Sequence, residues 1–84
     1  MKVHQAISDH SRKQYMHLAR FQDLDRLREE AIDAAVSLCK QGEPFDVDAI
    51  NAITAQINEH AKHGISPTRQ IVTKEMVAEY VRKL

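Results

Sequence analysis

Glycine and proline are nearly absent from this sequence, with two of each in 84 residues. They stand in two tight pairs, Gly42 with Pro44 and Gly64 with Pro67. These are the residues that end helices, so they divide the chain into three pieces, and the first runs from Met1 to Gln41 without a breaker. Two isolated glycines cannot build a phosphate-cradling loop, which excludes the nucleotide-binding motifs that depend on one.

Cysteine occurs once, as Cys39, which excludes an internal disulfide and a disulfide-stapled secreted scaffold. Tryptophan is absent and the other aromatics number four, Tyr15, Phe21, Phe45 and Tyr80. The core must therefore come from Ala, Ile, Leu and Val, the usual material of helix-on-helix packing. No run approaches the roughly 20 apolar residues of a membrane span. Ser8 to Lys13 interrupt any apolar leader. These absences point to a cytoplasmic protein with no membrane association.

Hydrophobic residues make up 43% and charged residues 29%, ordinary for a small helical protein. The net charge is zero but unevenly spread. Residues 1–22 carry four bases against one acid, residues 23–59 three against nine, and residues 60–84 five against two. Basic ends thus flank an acidic middle, which reads first as a solvated helical surface and otherwise as a pattern that can steer one chain onto another. A core this thin also makes self-association a natural way to bury more surface.

Helical periodicity predicts a single all-α domain over residues 1–84. Helix 1 is expected over about 3–41, helix 2 over about 47–63 and helix 3 over about 74–84. Asp46 is the expected N-cap of helix 2, with Phe45 stapled onto Ile50, and Ile50, Ile53 and Ile57 form its apolar stripe. Gly64 is expected to end that helix in the left-handed conformation, with Ile65 folding back over the last turn and His60, Lys62 and His63 placed against its negative end. Thr73 is the expected cap of helix 3, with Val72 stapled onto Val77.

The two halves of helix 1 differ. Leu24, Leu27, Ala31, Ala34, Ala35 and Leu38 make a continuous stripe, broadened by Ile32, Val36 and Cys39. Before residue 24 the apolar content thins, with His10, Gln14 and His17 where a heptad would place apolar groups. Ser11 and Gln14 form a capping box, so a start near Arg12 and a break near residues 8–11 is an alternative to one continuous helix. Helix 2, folded back antiparallel, covers only ~25 Å of a helix ~45–58 Å long. Helix 3 closes the hairpin. The expected core centres on Leu24, Leu27, Ala31, Ala35, Leu38, Phe45, Ile50, Ile53, Ile57, Ile71, Val77, Val81 and Leu84.

Chemistry-bearing groups are few. His10 with His17 and His60 with His63 are the weak candidates for a metal, yet the chain has no HExxH motif, second cysteine or Glu-x-x-His pair, so neither metal nor cofactor is expected. Cys39, alone on the apolar side of an Ala-rich helix, reads as a small buried hydrophobe and not a nucleophile. The acidic run Asp23, Asp25, Glu29, Glu30 and Asp33 is interleaved with Arg26 and Arg28 and reads as a salt-bridged face, with Asp23–Arg26 and Asp25–Arg28 as its pairs. Helices 2 and 3 could instead form a helix-turn-helix-like unit with Arg69, Lys74, Arg82 and Lys83 on phosphate. Against nucleic acid stand a nine-residue linker, Glu75 and Glu79 on the reading helix, and zero net charge.

The segments Val3-His4-Gln5-Ala6-Ile7-Ser8-Asp9-His10-Ser11, Gly64-Ile65-Ser66-Pro67-Thr68-Arg69 and Val72-Thr73-Lys74-Glu75-Met76-Val77 resemble a family of small Bacillus-type proteins known only as a domain of unknown function. The resemblance covers essentially the whole chain in order. It implies a short, self-standing cytosolic bacterial protein and brings no catalytic or binding residues with it. The reading is therefore a non-enzymatic interaction module, homodimeric through the N-terminal half of helix 1, with Val3, Ile7, His10, Gln14, His17 and Phe21 as the interaction residues. A nucleic-acid-binding regulator is the alternative.

Overall fold

In the computed structural model, which describes residues 2–84 with side chains from Asp9 onward, three helices follow one another. They are α1 (Lys2–Lys40), α2 (Asp48–Ala61) and α3 (Lys74–Arg82). The described residues form no strand. The molecule is a rod of 62 × 19 × 18 Å, its long axis matching the ~58 Å that 39 helical residues span. α1 runs unbroken through Ser8–Ser11. It is the scaffold on which the other two helices pack.

The first turn of the chain follows from Gly42. Its φ of +71° is the left-handed value that glycine adopts without a Cβ penalty. Gly42 N–H donates to Cys39 O at 3.1 Å and Glu43 N–H to Leu38 O at 2.9 Å, the paired bonds of a Schellman motif. The chain then reverses and α2 descends antiparallel along α1. Val47, not Asp46, occupies the N-cap position, and Asp46 accepts instead from Asp48 N–H at 3.1 Å. Thr73 caps α3 by accepting from Met76 N–H at 3.2 Å.

Gly64 departs from expectation. It does not have positive φ, and α2 ends with Lys62 in the ordinary helical region. Close approach explains the glycine. A Cβ at position 64 would lie 2.7–2.8 Å from three atoms of the His17 ring, inside any tolerable contact. Ile65 does not fold back over α2 either, being 79% exposed.

One cluster of the core joins Ala35 of α1, Ile50 of α2, Val72 of the connector and Val77 of α3, flanked by Ala31, Ile32, Val36, Cys39, Phe45 and Val47. Leu24 and Ile57 are buried further along the α1–α2 seam. Phe45 and Ile50 share this cluster, as do Val72 and Val77. Four expected core residues are surface instead: Leu27, Leu38, Ile71 and Leu84. Leu27 and Leu38 lie one flank round from the Leu24–Ala35 seam, outside the face of α1 that α2 and α3 cover. Leu84 lies beyond the end of α3.

Ile71 is out because the connector between α2 and α3 is extended with a period of three. Ser66, Arg69 and Val72 turn inward while the residues between them are exposed. That spacing is the one a polyproline-type strand produces, and Pro67 stands within it.

Candidate functional site

Two arrangements hold the connector in place, and both use polar groups on otherwise apolar faces. The first is a clip along α2. Asn58 Nδ2 donates to Arg69 O at 3.0 Å while its Oδ1 accepts from Arg69 N–H at 2.8 Å. Asn51 repeats the arrangement with Val72, at 2.8 and 2.7 Å. The register is geometric: seven helical residues rise ~10.5 Å and three polyproline-type residues ~9.3 Å, so the two asparagines meet every third connector residue.

Thr54 lies between them, fully buried, donating to Ile50 O and accepting from Arg28 Nε, both at 2.9 Å. Arg28 also donates from its Nη2 to Gln70 O at 2.9 Å, which ties α1, α2 and the connector together. Arg69 completes the clip from the other side. Its Nε donates to Asp25 Oδ1 at 3.0 Å, and its guanidinium lies 5.1 Å from the centroid of the Phe21 ring. Among the described residues no buried side-chain polar atom lacks a partner.

The second arrangement is a histidine stack where α2 ends against α1. The rings of His17 and His60 lie 3.8 Å apart and within 13° of parallel. His60 Nε2 is 2.8 Å from the His17 carbonyl, which can only accept, so that nitrogen carries a proton. His17 Nε2 bonds Ser66 Oγ at 2.9 Å, and Gly64 presses on the same ring. Burial in this stack, and then the nearby His60 and His63, hold the His17 pKa below its usual 6.5. Glu59 binds Lys62 at 3.1 Å and His63 at 3.7 Å, and the Lys62 bond draws its carboxyl below the usual range.

Beside the stack is an open groove of about 500 Å³ between α1 and the start of the connector. His10, Lys13, Gln14 and Leu18 form one wall, and His63 and Ile65 face them.

The sequence-predicted interaction residues therefore divide. His17 and Phe21 are engaged within the chain, and His10 and Gln14 line the open groove. The side chains of Val3 and Ile7 lie outside the described residues. As metal candidates, His17 and His60 are stacked face to face, so their in-plane lone pairs run side by side and cannot converge on one ion. No group of three or more potential ligands comes together among the described residues. Cys39 is half-buried against the main cluster, ~33 Å along α1 from His17.

The acidic face is wired differently from the expected i,i+3 pairs. Arg26 pairs with Glu30 at 3.1 Å, and Asp25 and Arg28 both turn to the connector. Arg82 and Lys83 pair with Glu79, and Arg69 is held by Asp25. α2 and α3 each pack on α1 and not on one another, so among the described residues they do not form a helix-turn-helix unit.

The clip residues were missed in the sequence, although a signal was present. Asn51, Thr54 and Asn58 recur at i, i+3 and i+7, interleaved with Ile50 and Ile57. Polar groups at that spacing on a buried face imply a backbone that needs pairing.

The family model described as "Protein of unknown function (DUF2533)" matches residues 1–83. The chain belongs to the DUF2533 family. Among curated relatives it is similar to the uncharacterized protein YpbS of Bacillus subtilis (strain 168), with 53% identity over 83 residues, covering 99% of this chain and 98% of that protein. No solved structure matches the chain. Family and relative agree with the resemblance drawn from residues 3–11, 64–69 and 72–77.

Proposed function

We propose that this DUF2533 protein is a non-enzymatic, cytoplasmic interaction module that self-associates as a homodimer through the N-terminal half of α1. The observation that carries the reading is the mismatch of helix lengths. α1 has 39 residues and α2 has 14, and α2 ends level with His17 through the His17–His60 stack. Beyond the groove at His10–Leu18, the 2–9 stretch of helix leads on from the hairpin. Helices in water draw most of their stability from packing of one face, and α2 does not extend to this stretch. Exposed Tyr15, Met16 and Leu18 add apolar surface to the same half of the helix.

Light scattering of the full chain across micromolar concentrations tests this, with the mass of two chains expected. The mass of a single chain at every concentration, together with a stable helical N-terminal half, would contradict it. No specific observation favours the nucleic-acid reading, since three of its four expected phosphate contacts are already paired within the chain.

A further inference from the structure

α1 carries a second stripe, beside its core face, that is complementary to itself. Met16, Arg20, Asp23, Leu27, Glu30 and Ala34 recur at spacings of three and four and share one side of the helix. All are exposed, Met16 at 62% and Leu27 at 39%. Their chemistry is arranged symmetrically about the middle of α1, close to Phe21. Bases lie on the N-terminal side (Lys13, Arg20) and acids on the C-terminal side (Asp23, Glu30), with one apolar residue in each half (Met16, Leu27) and Asp9 as an acid at the N-terminal end, opposite Ala34.

We infer that a second copy of this chain docks on this stripe, with the two α1 helices antiparallel about a two-fold axis near their midpoint. In that register Arg20 meets Asp23 of the other copy, Met16 meets its Leu27, and Lys13 meets its Glu30. Each contact occurs twice, as an isologous interface requires. Glu30 already holds Arg26 of its own chain through Oε1, and its second oxygen is free to accept. A parallel pairing would instead set Arg20 on Arg20 and Asp23 on Asp23, so charge alone selects the antiparallel arrangement. The acidic half of the stripe disfavours a nucleic acid in its place.

The same register lays residues 3–13 of each α1 along residues 30–40 of the other. It therefore supplies a cover for the segment that α2 does not reach, and places it beside exposed Ala34 and Leu38. This inference rests on the self-association proposed above and sets its orientation, moving the contact from the His10–Gln14 side of α1 to the Met16–Ala34 stripe, about a third of a turn round the helix.

Sedimentation equilibrium of the full chain, its Arg20→Glu and Asp23→Arg variants and the double swap tests the register. Helix content by circular dichroism verifies that each variant is folded. Each single reversal is expected to weaken the dimer about tenfold, and the double swap to restore it, because the two changes re-pair across the axis. A second measurement uses Met16→Cys and Leu27→Cys chains, both with Cys39→Ala, treated with a short bismaleimide. A mixture of the two should cross-link between chains and either one alone should not.

If the unaltered chain is a monomer throughout, both the self-association and this register fall. If it dimerises while the charge reversals change nothing and the 16–27 cross-link does not form, the register alone is overturned.

Discussion

Asn58 closes a two-bond ring with the backbone of Arg69, its Oδ1 accepting at 2.8 Å and its Nδ2 donating at 3.0 Å. Asparagine provides on one planar amide the acceptor and donor that a neighbouring strand would otherwise provide. An extended connector can thus lie against a helix with its inward amide and carbonyl groups paired. Removing the amide leaves both Arg69 groups without their partner in a half-buried place. Asn58→Ala should cost about 1–3 kcal/mol. Asn58→Asp should also destabilise, since it keeps the acceptor and places a carboxylate against the Arg69 carbonyl. Thermal denaturation reads this out, at ~4–8 °C for each kcal/mol in a domain of this size.

Gly64 and Gly42 should respond to alanine for different reasons. At Gly64 the new methyl meets the His17 ring, so the cost, ~1–3 kcal/mol, is one of overpacking and should shrink when His17 is also cut to Ala. At Gly42 nothing lies within 4 Å of an added Cβ, but φ is +71°. There the cost should be ~1 kcal/mol from the backbone, unrelieved by truncating any neighbour. Double-mutant cycles in urea separate the two cases.

The His17 stack makes stability depend on pH. Folding holds His17 below its unfolded value of 6.5, so the unfolded chain takes up the proton first. This contribution is fully present above about pH 6.5 and is lost as the pH falls through the folded value. Urea midpoints should drop as the pH falls below about 6.5, and His17→Phe, which keeps a ring on His60, should flatten that slope. Glu59 acts in a lower window, below its ordinary 4.5, and its exposed carboxylate should leave the His17 window unaltered.

Arg69 is held by shape as well as charge. Its guanidinium meets Asp25 through Nε at 3.0 Å and Nη2 at 3.4 Å, while lying near the Phe21 ring. A lysine cannot reproduce both contacts. Arg69→Lys should lose on the order of 1 kcal/mol, given that both side chains are about one-third exposed. Little further loss is expected when Asp25→Asn is added, and chemical denaturation of the four variants reports this coupling.

The all-α class and three-helix layout were legible because they rest on local signals. Breakers at Gly42, Pro44, Gly64 and Pro67, the cap at Thr73 and the Ile50–Ile57 stripe all act within a few residues. What was not legible depends on contacts far apart in sequence. Gly64 looked like a helix terminator because its true reason, the His17 ring, lies 47 residues earlier. Asp25 and Arg28 looked like a local pair, yet their partners are Arg69 and Gln70 in the connector. Ile71 was expected inside because an extended chain with a period of three has no counterpart in helical periodicity.

The account turns on whether α1 is completed by a second copy. Amide hydrogen exchange of residues 9–14, measured from about 1 to 200 µM protein, tests this most directly, because it reports on the segment that α2 does not cover. Protection of these amides should rise with protein concentration and track the dimer mass seen by light scattering. Protection that is the same at every concentration, with the mass of a single chain throughout, would contradict the account.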